Sequence, residues 1–185
     1  FLRLAKEHAN SVYGVEIQEN YISLLEKNGI KCTDSISKLK TKFDSIFLFH
    51  TLEHLPNQLE VLVSLKKYLN IGGNLIIEVP HANDFLLKNL EIKEFKEFTL
   101  WSQHLILHTK KSLTKFLSIS GFRDIEIFGV QRYNIANHFG WLKNKTPGGH
   151  KSKLANLETS ELSAEYTEAL KQIDATDTII AIAKV

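Results

Sequence analysis

The sequence predicts an α/β protein with a doubly wound, mostly parallel sheet and helices on both faces. Short apolar runs alternate with amphipathic segments, and this order of elements produces parallel strands joined by right-handed helical crossovers. Residues 43–50 (FDSIFLFH) are almost continuously apolar after their aspartate, as in a strand covered on both faces. We also predict that the last strand, residues 177–185, is antiparallel to its neighbours.

The first part of the chain is predicted to hold two short strands around one helix. Its opening, FLRLAKEHAN, has the apolar spacing of a helix, and residues 12–16 (VYGVE) are typical of a short strand. The segment NYISLLEKNGI has apolar residues at helical spacing and an Asn-Gly stop. Residues 30–33 are short enough to form an edge strand.

The alternation continues after residue 50. LEVLVSLKKYLNIGG predicts a helix that stops at Gly72 and Gly73, and residues 74–80 predict a buried strand ended by Pro80. Residues 81–109 are predicted to be irregular. The remaining elements are a helix in SLTKFLSISGF, a strand in DIEIFGVQRY, a helix in SELSAEYTEALKQI and the last strand.

Length and composition favour one domain that acts on a small molecule. The 185 residues, 43% of them hydrophobic, can bury one substantial core, so we predict a single domain over residues 1–185. Residues 131–160 have few periodic apolar positions and are predicted to form a lid or insertion on the substrate side. A net charge of +2 gives no electrostatic reason to expect a nucleic acid or membrane partner. A homodimer is possible on the basis of the sequence.

Two further sequence features concern location and metal binding. The single cysteine, Cys32, has no partner for an internal disulfide, which favours a reducing, cytoplasmic setting. Residues 50–54 have the order His-x-x-Glu-His, which binds zinc in some peptidases when a helix presents both histidines. Pro56 follows closely, so the motif lies at a strand-to-helix corner and we predict no metal site. The alternative is that Leu52 and Leu55 anchor this corner while Glu53 and His54 are solvated or cap a neighbouring element.

Ligands of doubly wound sheets bind outside the carboxyl ends of the strands. In this sequence those ends fall at Glu16, residues 33–34, His50 and residues 80–81.

The segments YGVEI, FDSIFLFHTLEHLPN and LNIGGNLIIEVPH, in that order, resemble the middle of a class I S-adenosylmethionine-dependent methyltransferase. The resemblance covers roughly residues 1–130 and implies a Rossmann-like fold. It also implies that the family's first strand and glycine-rich cofactor loop precede Phe1, so that this first strand is missing from the chain. In that case either the strands ending at Glu16 and His50 pair directly, or another segment or chain fills the gap between them.

The resemblance assigns cofactor roles to five residues. Glu16 would accept hydrogen bonds from the ribose hydroxyls, and Ile17 would pack on the adenine ring. Asp34 and Ser35 fall near the adenine amino group, and His50 would flank the methionine portion and the methyl group.

The resemblance extends to WSQHLILHTKKSLTKFLSISGF, which is similar to a segment of methyltransferases acting on sugars and small metabolites. It places Trp101 and His104 over a small polar, possibly sugar-linked acceptor. We predict that His138 and Trp141 also bind the acceptor. The histidines proposed as general base are, in order, His104, His81 and His50. The rival hypotheses are a zinc-dependent hydrolase using His50, Glu53 and His54, and a non-catalytic binding domain.

Overall fold

The computed structural model describes residues 1–156 and 158–185. These residues form two compact units, Phe1–Lys42 and Phe43–Val185. Among the helices described, none combines the length and the apolar composition needed to cross a lipid bilayer.

The first unit is a short parallel β-α-β arrangement preceded by a helix. Its elements are α1 (Leu2–His8), β1 (Tyr13–Val15), α2 (Glu19–Lys27), β2 (Lys31–Thr33) and a 3-10 turn at Ile36–Lys38. Strands β1 and β2 pair in parallel, with Gly14 opposite Cys32. An added Cβ at Gly14 would lie 3.0 Å from Leu25 Cδ1 and 3.2 Å from Cys32 Sγ, so the absence of a side chain lets α2 pack closely on β1.

The second unit contains a four-stranded mixed sheet and five helices among the described residues. The strands are β3 (Phe43–Phe49), β4 (Leu69–Pro80), β5 (Arg123–Val130) and β6 (Thr178–Lys184). The helices are α3 (Gln58–Lys66), α4 (Lys93–Thr99), α5 (Lys110–Ile119), α6 (Ile135–Asn144) and α7 (Ser160–Gln172). Shorter turns occur at Leu52–His54, Phe85–Asn89, Gly149–Lys151 and Lys153–Leu157.

The strand order of the sheet is β3-β4-β6-β5. Strand β3 is parallel to β4, whereas β6 is antiparallel to both β4 and β5. The predicted α/β class and the antiparallel last strand are therefore confirmed. In the described part of the chain, the strand that ends near Glu16 and the strand that ends near His50 belong to two different sheets.

The predicted helix stop at Gly72 and Gly73 is wrong. Helix α3 ends at Lys66, and both glycines lie inside β4. The register between β3 and β4 shifts here, because Phe43 pairs with Leu69 but Ser45 pairs with Asn74. Gly72 has a φ of 76°, so the glycines form an irregularity within the strand and do not end the helix.

Residues 81–109 are more ordered than the sequence indicated. They contain a π-helical turn at Phe85–Asn89 and helix α4. Apolar side chains from both elements and from α6 pack together in one buried cluster: Leu86, Leu87, Ile92, Phe95 and Trp141. This cluster holds the segment after β4 against the segment after β5.

Candidate active site

A cavity of about 710 Å³ lies in the second unit, at one edge of its sheet. Its wall includes His50, just after β3, and Pro80 and His81 at the end of β4. Thr178 at the start of β6 also lines it, because β6 is antiparallel and pairs with Pro80 at this edge. The strand-end rule therefore located one wall of the cavity correctly.

The cavity brings together the predicted site residues of the second unit. These are His50, His81, Trp101, His104, His138 and Trp141. Residues 131–160, the predicted lid, contribute further lining residues, including Tyr133, Pro147 and His150. The apolar part of the wall is largely aromatic, with Phe95 and Phe98 beside the two tryptophans.

His50 stands at a strained corner between two carboxylates. Its φ of 46° lies in the left-handed region, which is uncommon for a residue other than glycine. Its Nδ1 is 3.4 Å from Glu53 Oε1, and its Nε2 is 3.1 Å from Glu78 Oε1. The contact with Glu53 raises the pKa of His50, against the opposing effects of burial and of Arg132. His50 therefore tends to carry a proton, which makes it a poorer base than a neutral histidine.

Arg132 and Asp177 are cavity residues that the sequence analysis missed. The Arg132 guanidinium contacts the His50 ring and lies 3.2 Å from Glu78 Oε1. The Asp177 carboxylate accepts hydrogen bonds from the backbone N–H groups of Arg132 and Tyr133. These residues follow β5 and precede β6, which meet at the same edge of the sheet. The start of an antiparallel strand lies at the same edge of the sheet as the ends of the parallel strands. Including that start in the strand-end rule would have identified Arg132 and Asp177.

His81 is buried and holds one nitrogen without a partner. Its Nδ1–H donates to the carbonyl oxygen of Thr176 at 3.0 Å, which leaves the lone pair on Nε2. This Nε2 has no hydrogen-bond partner among the described residues, and Asp174 Oδ2 lies 3.8 Å away. Burial lowers the pKa of His81, so the ring is neutral near pH 7.

His104 and Trp101 lie together on the segment that follows α4. Their rings are 5.7 Å apart in an edge-on arrangement, and Trp101 is exposed. The Nδ1–H of His104 donates to the carbonyl oxygen of Thr99 at 2.6 Å. A carbonyl oxygen only accepts, so the lone pair of neutral His104 is on Nε2.

His138 is a buried, neutral histidine on α6. It stacks on Phe85, and its Nδ1 is 2.5 Å from the Tyr166 hydroxyl oxygen. Burial lowers the pKa of His138 to about 4 and raises the pKa of Tyr166 to about 12. Both groups are therefore uncharged near neutral pH. Trp141, one turn further along α6, packs edge-on against Phe95 with ring centroids 5.0 Å apart.

The alternative in which Glu53 is solvated is wrong. Glu53 is fully buried, because residues 103–106 fold over the Leu52–His54 turn. The carbonyl oxygen of Glu53 accepts a hydrogen bond from the N–H of Leu105 at 2.8 Å, and His54 Nδ1 is 2.8 Å from the carbonyl oxygen of Gln103. Neither carboxylate oxygen of Glu53 has a hydrogen-bond partner among the described residues.

The predicted cofactor residues of the first unit lie at the ends of its two strands. Glu16 follows β1, where its N–H donates to the carbonyl oxygen of Thr33 and its Oε1 accepts from the N–H of Gln18. Ile17 is 80% exposed. Asp34 pairs with Lys38 at 2.7 Å, and the Ser35 hydroxyl caps the Ile36–Lys38 turn.

Comparison with known proteins identifies the family. Residues 1–127 match the family model described as a methyltransferase domain. A search of curated proteins found no match. Solved structures of similar fold include an S-adenosylmethionine-dependent methyltransferase from Archaeoglobus fulgidus, 21% identical over 100% of this chain and 80% of that one, with a TM-score of 0.64.

Two further structures share this fold. An S-adenosylmethionine-dependent methyltransferase from Mesorhizobium loti is 14% identical, with coverage of 99% and 84% and a TM-score of 0.59. Phosphoethanolamine N-methyltransferase 2 from Haemonchus contortus, solved with S-adenosyl-L-methionine, is 16% identical, with coverage of 98% of this chain and 45% of that one and a TM-score of 0.58. The family match covers more than half of the sequence, and the chain therefore belongs to the methyltransferase domain family, with the fold of S-adenosylmethionine-dependent methyltransferases.

Proposed function

We propose that the protein methylates a small polar metabolite, sugar-linked or otherwise ring-containing, that binds in the cavity of the second unit. The observation that carries this proposal is the cavity itself. Its volume of about 710 Å³ is in the range of small-molecule sites, and its wall combines aromatic rings with histidines. Sugars and other rings with hydroxyl groups suit such a wall, because their flat faces pack on aromatic rings while their hydroxyls form hydrogen bonds.

Related folds give independent support for a small acceptor. The Haemonchus contortus enzyme is named for phosphoethanolamine, which is a small polar metabolite. Family membership also favours methyl transfer over the zinc-dependent hydrolase and the non-catalytic binding domain. The zinc hypothesis paired His50 with His54, but the His50 ring contacts Glu78 and Arg132.

The residues of the first unit fit the adenosine part of the cofactor. Glu16 Oε1 already accepts one hydrogen bond, and its second carboxylate oxygen accepts none in the part of the chain that the structure describes. It is therefore available to a ribose hydroxyl. The exposed Ile17 offers apolar surface to the adenine ring, and Asp34 and Ser35 offer polar atoms at the end of β2. When bound, S-adenosylmethionine supplies an electrophilic methyl group and leaves as S-adenosylhomocysteine.

The catalytic role of this chain is alignment of the acceptor and removal of its proton. We place the acceptor ring against Trp101, with its hydroxyl beside His104. The lone pair on His104 Nε2 would accept the proton of an acceptor hydroxyl held beside it, so that the oxygen could take the methyl group that bound S-adenosylmethionine would supply. His81 is the second choice because its free Nε2 is buried, and His50 is the third because it tends to be protonated. For an acceptor that needs no base, most of the rate acceleration comes from holding the acceptor in the correct position and orientation.

Residues 131–160 would act as the lid of this site within a single domain, since Tyr133, Asn137 and His150 line the cavity. We keep the prediction of a cytoplasmic enzyme without a nucleic acid partner, on the grounds of its single cysteine and its net charge of +2.

The test is methyl transfer from labelled S-adenosylmethionine to panels of small acceptors, RNA and protein. We expect label in a small acceptor. Trp101→Ala should raise the acceptor KM at least tenfold while leaving S-adenosylhomocysteine affinity unchanged. Phe128→Ala removes an exposed aromatic side chain of β5 outside the cavity and serves as the matched control. Label found only in RNA or protein would exclude a small acceptor.

A further inference from the structure

We propose that Glu53, His54 and His104 form a binding site for one divalent transition-metal ion, with zinc as the first choice. One ligand atom from each of the three side chains lies within 4.8 Å of those from the other two. The rings of His54 and His104 have centroids 5.0 Å apart, and His54 Nε2 is 3.9 Å from Glu53 Oε1. The sequence pattern suggested His50 as a partner, but the third side chain of this group comes from 50 residues further along the chain.

The buried carboxylate of Glu53 points to a cation. Its side chain is 1% exposed, and neither oxygen accepts a hydrogen bond from the described residues. The nearest cationic group is the His50 ring, whose Nδ1 is 3.4 Å from Oε1. The His50 ring offsets part of the cost of burying this carboxylate, and a bound metal ion would offset the remainder.

The two histidines are oriented as metal ligands. His54 Nδ1 is 2.8 Å from the carbonyl oxygen of Gln103, and His104 Nδ1 is 2.6 Å from that of Thr99. Each carbonyl fixes the proton on Nδ1 and leaves the lone pair on Nε2. Backbone carbonyls hold metal-binding histidines in the same way, because the second hydrogen bond sets both the tautomer and the ring orientation.

The distances suit a metal after a small movement. Ligand atoms around tetrahedral zinc are roughly 3.4 Å apart, since each bond is about 2.0 to 2.1 Å long. The three ligand atoms, separated by no more than 4.8 Å, would have to move closer to one another by up to about 1.4 Å. Two histidines and one carboxylate are a common ligand set for zinc sites that keep an open position for substrate.

The ion would also change the role of His104, and this step rests on the proposed function. His104 lines the cavity, so a metal there could bind the acceptor hydroxyl and lower its pKa. His104 Nε2 would then hold the ion, and the hydroxyl proton would pass to solvent. Metal binding itself requires neither S-adenosylmethionine nor an acceptor.

Calorimetric titration of the metal-free protein with Zn²⁺ tests the site directly. We expect one equivalent to bind, with Glu53→Gln, His54→Ala and His104→Ala each weakening binding at least tenfold. His150→Ala is the matched control, because it removes another cavity histidine outside the group and should bind Zn²⁺ like the unaltered protein. The half-buried positions of His54 and His104 keep the test valid if Glu53→Gln fails to fold.

Replacing Zn²⁺ with Co²⁺ supplies a second readout. We expect visible d–d absorption from Co²⁺ in the unaltered protein and its loss in His104→Ala. The proposal would be overturned by less than one equivalent of bound Zn²⁺, or by His54→Ala and His104→Ala variants that bind Zn²⁺ as tightly as the unaltered protein. If the metal binds but does not affect methyl transfer, the result supports the metal site and contradicts only its role in activating the acceptor.

Discussion

Asp84 should make the stability of the protein depend on pH between about pH 4 and pH 7. The residue is 5% exposed at the cavity wall, and burial raises the pKa of its carboxyl from 3.8 to about 7. The nearby Asp177 carboxylate acts in the same direction. Below both values Asp84 is protonated in the folded and unfolded states. As the pH rises, the unfolded chain releases this proton first, so the free energy of unfolding falls until the folded state also ionises.

The size of this effect follows from the difference between the two pKa values. A shift of about three units corresponds to roughly 4 kcal/mol over the full range, and to roughly 2.5 kcal/mol between pH 5 and pH 8. Asp84→Asn should remove this contribution, because an amide does not ionise. Its Oδ1 can still accept the hydrogen bonds from the N–H groups of Leu86 and Leu87. The variant should therefore gain stability over the unaltered protein as the pH rises.

Urea unfolding of both proteins at pH 5, 6, 7 and 8 measures this difference. Comparing the two proteins at each pH cancels the ionisation of other groups that respond equally in both. If the two stability profiles run parallel across this range, Asp84 does not titrate as its burial implies and the reasoning is refuted.

Three further predictions concern the cofactor, the lid and a second buried group. Glu16→Ala should weaken S-adenosylhomocysteine binding more than tenfold by calorimetry, with Glu19→Ala as the control, and unchanged affinity would remove Glu16 from the site. Gly140→Ala should lower the free energy of unfolding by about 1–3 kcal/mol, because its Cβ would lie 2.5 Å from Gly149 Cα. Lys143→Ala on the same helix should be nearly neutral in the same urea titration. Burial lowers the pKa of His138 from 6.5 to about 4, so the folded protein loses stability as the pH falls through this range. His138→Asn should therefore reduce the loss in free energy of unfolding between pH 6.5 and pH 4 by up to roughly 3 kcal/mol. An equal loss in both proteins would contradict this.

Much of the fold could be predicted because the strands have simple local signals. The apolar run that forms β3 and the strand ends at His50 and His81 lie where the sequence placed them. Helix α4 was missed because KEFKEFT is only seven residues long and has too few turns to show a clear period. The glycines within β4 were misread because a helix stop and a strand irregularity use the same residue type.

The burial of Glu53 could not be predicted from local sequence. It depends on the backbone of residues 105–106 approaching from far along the chain, and a short polar motif does not show such a contact. The same long-range contact brings His104 beside His54. Arg132 and Asp177 were missed for a related reason, since β6 must be placed between β4 and β5 before their positions at the cavity are visible.

The central position of β6 has a consequence for folding during synthesis. Strands β4 and β5 bond to this strand and not to each other, so the sheet cannot close until residues 178–184 have left the ribosome. Until then the inner edges of β4 and β5 present open backbone groups on which another nascent chain could pair. Removal of these seven residues should thus expose two edges at once and favour aggregation.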